Sequence, residues 1–191
     1  MNQENSEISG VAKGGFAGKV SDYIALTKFR LAALVVFSAW AGYAMAPGAT
    51  DWRVFWLLVG GGFLVTGASN GFNQIIEKDL DKMMDRTKNR PLPAGRMKPT
   101  EAIIVSSIFG VAGLTLLWLI NPSSFILGFL ALFSYVAIYT PMKRKTPLSV
   151  FVGAFPGSVP PLLGYVAASN EFGLFAGILF LVQFFWQFPH F

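Results

Sequence analysis

An all-α membrane protein, a multi-helix transmembrane bundle, is the fold class this sequence predicts, on three observations. Of its 191 residues 53% are apolar and 13% charged, with a mean hydropathy of +0.53, a departure from soluble averages toward membrane proteins. Apolar windows of about 20 residues, the length that crosses a bilayer, recur from residue 23 onward. Lysine and arginine collect in alternate connections between those windows.

The first 22 residues are polar, with Glu4 and Glu7, and read as a flexible cytoplasmic tail. They lack the Arg-rich, acid-poor character of a transit peptide. Spans are expected at about 23–46, 52–76, 99–120, 122–141, 147–168 and 172–191. Ala44-Met45-Ala46 mimics a signal-peptidase site, but the apolar run before it follows a long polar stretch, so it reads as a retained span. Pro47-Gly48, Asn121-Pro122 and Ser169-Asn170 mark short turns. The connections after the second and fourth spans are basic instead.

Sidedness follows from the bases. Lys13, Lys19, Lys28 and Arg30 precede or open the first span; Lys78, Lys82, Arg86, Lys88, Arg90, Arg96 and Lys98 follow the second; Lys143, Arg144 and Lys145 follow the fourth. Six alternating spans put all of these on one side, with Arg53 alone outside, which predicts a cytoplasmic N-terminus. The net charge of +5 is thereby accounted for by topology rather than by nucleic acid. Having no cysteine, the chain excludes disulfides, iron–sulfur ligation and thiolate zinc sites. Its end, Phe-Phe-Trp-Gln-Phe-Pro-His-Phe, lacks a polar interfacial flank, and the sequence is expected to be the N-terminal part of a longer protein.

One polar island interrupts this pattern, from Asn70 to Met97. Asn73, Glu77 and Asp81 are four apart, a spacing that drifts about 40° per step and lines one helix face, with Asp79 opposite. Such an oxygen stripe suits Mg²⁺, which takes one or two carboxylates, keeps waters and completes its shell with phosphate oxygens. Arg86, Lys88 and Arg90 are then placed to meet phosphate directly. The plainer alternative is a solvated loop whose acids pair with its bases. Against it, Asn73 lies with Asn70 and Gln74 near the membrane boundary, where polar side chains are disfavoured without partners.

In the order Asn73, Glu77, Asp81, Arg86-Thr87 and Arg90-Pro91-Leu92, this island resembles the first aspartate-rich motif of the UbiA superfamily of intramembrane prenyltransferases. Gln74 stands for the motif's first Asp and Glu77 for its second, a pattern similar to the haem-farnesylating branch, the protohaem IX farnesyltransferases. Leu26-Thr27-Lys28-Phe29-Arg30 resembles the family's opening motif, with Phe29 where Pro is common. Tyr139-Thr140-Pro141-Met142-Lys143-Arg144 resembles its fourth-helix loop, the Gly/Pro-rich stretch from Gly153 to Gly164 its fifth helix, and Trp186 to Phe191 its sixth.

The resemblance implies a nine-helix bundle around a central cavity, of which residues 23–191 hold about six helices as an incomplete prenyltransferase domain. The family's second acidic motif, in the loop after helix six, lies beyond this chain, so these residues are expected to be inactive alone. It implies farnesyl diphosphate as donor, haem B as acceptor, haem O as product and Mg²⁺ as cofactor, in a bacterial inner membrane with the site loops cytoplasmic. Haem A synthase or oxidase-assembly factors are the implied partners besides the lipid bilayer. Asn73, Glu77 and Asp81 are the expected metal site.

Arg86 and Arg90 either bind diphosphate or brace the loop. Lys28 and Arg30 either snorkel to the interface or bind substrate, and Lys143 and Arg144 either mark topology or bind diphosphate. Tyr139 either shields an allylic cation or caps a helix. His190, the single histidine, is either a hydrogen-bonded structural residue or a haem contact. The rival readings are quinone-precursor prenyl transfer and a non-catalytic membrane module.

Overall fold

The computed structural model describes residues 15–48 and 50–190, His190 by its backbone only. The described chain runs α1 (Phe16–Thr27), α2 (Phe29–Ala44), α3 (Trp52–Asp81), α4 (Pro99–Trp118) and α5 (Pro122–Phe133). A π-helical segment (Ser134–Tyr139) leads into the single turn α6 (Thr140–Met142), followed by α7 (Ser149–Ser169), α8 (Leu174–Gln187) and a 3₁₀ turn (Phe188–His190). Among the described residues there is no strand.

Helix starts follow local chemistry. Asp51 Oδ1 accepts from the Arg53 and Val54 amides to open α3, and Asn121 Oδ1 accepts from the Ser124 amide to open α5. Pro99 and Pro122 occupy first-turn positions, where a missing N–H costs nothing.

Three expectations change. The tail was expected to run through residue 22, but α1 begins at Phe16; residues 1–14, Lys13 among them, lie outside the described residues. The first span, expected as one helix over 23–46, is two helices bent by 49° at Lys28. The last, expected over 172–191, is a 14-residue helix between the extended Gly173 and a 3₁₀ turn holding Pro189, which has no N–H to continue it. Four described helices are long and apolar enough to cross a membrane, and the bent pair α1–α2 makes a fifth.

The outward surface is apolar. Leu34, Val111 and Val182 are 67%, 69% and 65% exposed, a surface suited to hydrocarbon and costly in water. Inside, α3 packs against α4, α2 and α1, while α7 packs against α2, α5 and α8. Without a hydrophobic drive between helices in lipid, small residues let backbones touch. A Cβ placed on Gly42 would fall on the Pro161 carbonyl oxygen, and one on Gly164 would fall on that of Ala39. These two glycines therefore set the α2–α7 separation.

Pro156, Pro160 and Pro161 lie inside α7. Each removes a donor that the carbonyl one turn earlier would have used. For Pro161 that carbonyl is Gly157 O, and Gln187 Nε2 of α8 donates to it at 3.3 Å. The bond re-satisfies broken backbone in an apolar setting, as membrane helices with proline require.

Candidate functional site

The 30-residue α3 continues through Asp81, past the expected end at 76. The acids therefore sit on a rigid helix rather than in a loop. Asn73, Glu77 and Asp81 share its inner face at 2%, 9% and 1% exposure, and Asp79 is exposed on the outer one.

Two basic segments close over this stripe. Lys143, just beyond α6, donates from Nζ to Glu77 Oε2 at 2.8 Å and to Asn73 Oδ1 at 3.0 Å. Asn73 Nδ2 donates to the same Glu77 oxygen at 3.1 Å, and Thr140 Oγ1 donates to Asn73 Oδ1 at 3.2 Å. From the α3–α4 connection, Arg90 Nη1 donates to Asp81 Oδ2 at 2.7 Å, while Thr87 Oγ1 donates to the Asp81 carbonyl at 3.0 Å. Lys28 is partly buried and near enough to Arg90, Lys143, Asp81 and Glu77 to feel all four charges.

The elements hold these groups for local reasons. Pro141 has no N–H and its ring crowds the preceding turn, and the helix widens into the π segment just before it. There the Thr140 backbone N–H and Oγ1 both reach Tyr135 O, the latter at 2.8 Å. The connection carrying Arg90 is anchored by Leu92 and Met97, which pack into a small core with Leu26 and Ala102. Arg96 fastens it further, donating to Asp22 Oδ1 at 3.0 Å and to Asn89 O at 2.9 Å.

Beside the polar cluster lies a cavity of about 390 Å³ between α2, α3, α5, α7 and α8. Its wall is mainly aliphatic, with Tyr135 and Tyr139 from the π segment and Gln183 and Gln187 from α8. The two tyrosine rings lie 5.4 Å apart, and Lys143 Nζ is 5.4 Å from the Tyr139 ring centre. Tyr139 therefore joins the cluster to the apolar space, a geometry that fits a ligand with a charged head and a hydrocarbon tail.

The expected site residues thus divide. Asn73, Glu77, Asp81, Arg90, Lys143, Tyr139 and Lys28 come together. Arg30, Arg86 and Arg144 are exposed and make none of the cluster's bonds, and the His190 side chain lies outside the described residues. Sequence reasoning passed over Thr140, Thr87 and Tyr135. Thr140 and Thr87 both sit inside motifs dominated by their charged neighbours, whereas Tyr135 acts through contacts that no spacing reveals.

For a divalent cation, Glu77, Asp81 and the Asn73 amide oxygen form an all-oxygen, hard-donor set. The second oxygen of each carboxylate takes no bond from the described residues. One or two carboxylates suffice for Mg²⁺ when phosphate supplies other ligands. Among the described residues no cluster of three acids, histidines or cysteines forms a closed cage. The residues fit an open, phosphate-completed site.

Fold and site together define an integral membrane helical bundle with an acid-and-base cluster at one end of an apolar cavity. The chain belongs to the UbiA prenyltransferase family, whose model matches residues 34–191. It is 56% identical over 175 residues to the protoheme IX farnesyltransferase of Christiangramia forsetii, covering 92% of this chain and 58% of that one. It is 41% identical to the mitochondrial protoheme IX farnesyltransferase of Homo sapiens, covering 87% of this chain and 38% of the relative. The chain thus spans less than two thirds of the length of these relatives.

In fold it is similar to a digeranylgeranylglyceryl phosphate synthase structure, with a TM-score of 0.79 at 24% identity over 87% of this chain and 58% of that one. It is also similar to a UbiA homologue from Archaeoglobus fulgidus bound to GPP and Mg²⁺, with a TM-score of 0.69 at 18% identity over 88% of this chain and 62% of that one.

Proposed function

We propose that the full-length protein transfers a farnesyl group from farnesyl diphosphate to a vinyl group of haem B, giving haem O. The carrying observation is 56% identity to a protoheme IX farnesyltransferase across nearly the whole of this chain. The juxtaposition of Lys143 and Glu77 with the cavity supports it chemically.

When bound, Mg²⁺ supplies a positive charge that neutralises the leaving diphosphate. Glu77, Asp81 and Asn73 would hold it. Lys143 and Arg90, which pair with Glu77 and Asp81, and Lys28, which feels the same charges, stabilise negative charge as the allylic carbon–oxygen bond breaks. The aliphatic wall accepts the farnesyl chain and keeps water from the allylic cation. Tyr139, at the boundary, offers a ring face to positive charge.

The lysines and arginines gathered at the cluster end of the bundle support an inner-membrane enzyme with its charged end toward the cytoplasm. Partners such as haem A synthase or oxidase-assembly factors would take the product onward. The test supplies membranes containing the full-length protein with farnesyl diphosphate, Mg²⁺ and haem B, and looks for haem O by mass spectrometry. Absence of haem O, with prenylation of an aromatic acid under the same conditions, would move the assignment to quinone-precursor transfer.

A further inference from the structure

The bend at Lys28 is built from two side chains of α3. Lys28 has φ 50° and ψ 59°, one of two described non-glycine residues in the left-handed region. For a side chain with a Cβ that conformation costs on the order of 1 kcal/mol and persists only where surroundings impose it. It also leaves the last carbonyls of α1 without onward helical donors.

Asn70 and Gln74 supply those donors. Asn70 Nδ2 reaches Thr27 O at 3.1 Å; Gln74 Nε2 reaches Ala25 O at 3.1 Å and Leu26 O at 2.8 Å. Both side chains are buried, at 2% and 0% exposure. Gln74 Oε1 has no partner among the described residues, so the bonds of this amide all go to α1. Turning the amide over would set its oxygen against two carbonyl oxygens. Gln74 is thus committed to α1, although it adjoins Asn73 in sequence.

We propose that Asn70 and Gln74 are positioning residues that hold Lys28 in its left-handed conformation, so that its ammonium faces Arg90 and Lys143 as a third cation for a diphosphate group. This rests on the reading that the Glu77–Asp81 cluster binds a diphosphate. A continuous α1–α2 helix would remove both the bend and the three uncapped carbonyls. The strain at Lys28 is therefore imposed by α3, the helix that also carries Asn73, Glu77 and Asp81.

The test measures equilibrium binding of inorganic pyrophosphate, with Mg²⁺ present, to the full-length protein in lipid nanodiscs. The variants are Lys28→Ala, Gln74→Met, Asn70→Leu, and each α3 substitution combined with Lys28→Ala. Both replacements are near-isosteric and neutral, so they remove donors without adding charge. Each single variant is expected to weaken binding about tenfold, in keeping with the loss of one charge-assisted contact. Each double variant is expected to bind no more weakly than Lys28→Ala alone, because the α3 residues act through Lys28.

Wild-type binding with additive losses, or with an undiminished Lys28→Ala, would overturn the positioning role while leaving the diphosphate reading intact. No binding by the wild type would overturn both. If Gln74→Met does not accumulate as folded protein, the Asn70→Leu cycle decides alone, because that variant leaves two of the three bonds in place.

Discussion

Lys143 and Glu77, 66 positions apart in sequence, meet at 2.8 Å between Nζ and Oε2. Their side chains are 26% and 11% exposed, so the pair is neither a surface ion pair nor a fully desolvated one. Its effect falls between those limits, about 2 kcal/mol. Lys143→Met is expected to lower the unfolding free energy by about that amount, since it leaves Glu77 charged and poorly solvated. Lys143→Met with Glu77→Gln should lose less than the sum of the two single changes. Thermal unfolding of the four proteins in one detergent checks this.

Activity should follow a different order. Glu77→Gln removes a carboxylate from the stripe, and farnesyl transfer by the full-length enzyme is expected to fall by about 100-fold or more. Rates under saturating substrates, compared with those of Lys143→Met, test whether Glu77 does more than pair with Lys143. A double variant that loses no more than Glu77→Gln alone would mean that the two act as one unit, and a larger loss that each contributes separately.

Arg90 holds Asp81 Oδ2 at 2.7 Å, with Asp81 only 1% exposed. Arg90→Lys keeps the charge but replaces a guanidinium with a compact ammonium on a differently shaped stem, which is not conservative at such a site. We expect KM for farnesyl diphosphate to rise about tenfold and stability to fall by about 1 kcal/mol. Steady-state kinetics with varied donor measures the first and a melting curve the second.

Gly164→Ala adds one methyl group where α7 meets the Ala39 backbone. Backbone there has no rotamer by which to yield, so α2 and α7 must separate. A loss of about 3 kcal/mol is expected, at the upper end for overpacking. The same change at Gly177, inside α8 where a Cβ has open space, should be neutral or stabilise by up to about 1 kcal/mol. Parallel melting curves compare the two.

Chelation of divalent cations by EDTA is expected to abolish farnesyl transfer, and added Mg²⁺ to restore it. Wild-type thermal stability should change little on chelation, because Lys143 and Arg90 already pair with the acids. Transfer assays and melting curves on one preparation give both readouts.

Much of this architecture was legible in the chain. Hydropathy located the spans because a lipid-facing helix must be apolar along its length, and the four-residue spacing of Asn73, Glu77 and Asp81 placed them on one face. The bend at Lys28 escaped notice because Leu-Thr-Lys-Phe-Arg contains neither Gly nor Pro, so nothing local signals a left-handed residue. Gln74 looked like part of the acidic motif, whereas its amide faces α1.

Hydropathy and helical period depend on neighbours a few residues apart, and they are enough to dictate a membrane bundle with an oxygen-bearing stripe at one end. Which bases serve that stripe is settled by the packing of the folded chain. Arg90 and Lys143 reach it while Arg86 and Arg144 do not, since that choice depends on how two connections fold over α3. Lys28 joins them because α3 supplies the donors that let α1 stop. The contacts of Lys143 with Glu77, and of Asn70 and Gln74 with the end of α1, join residues more than 40 positions apart, while Arg90 reaches Asp81 across nine only because the connection folds back, and no local pattern records either.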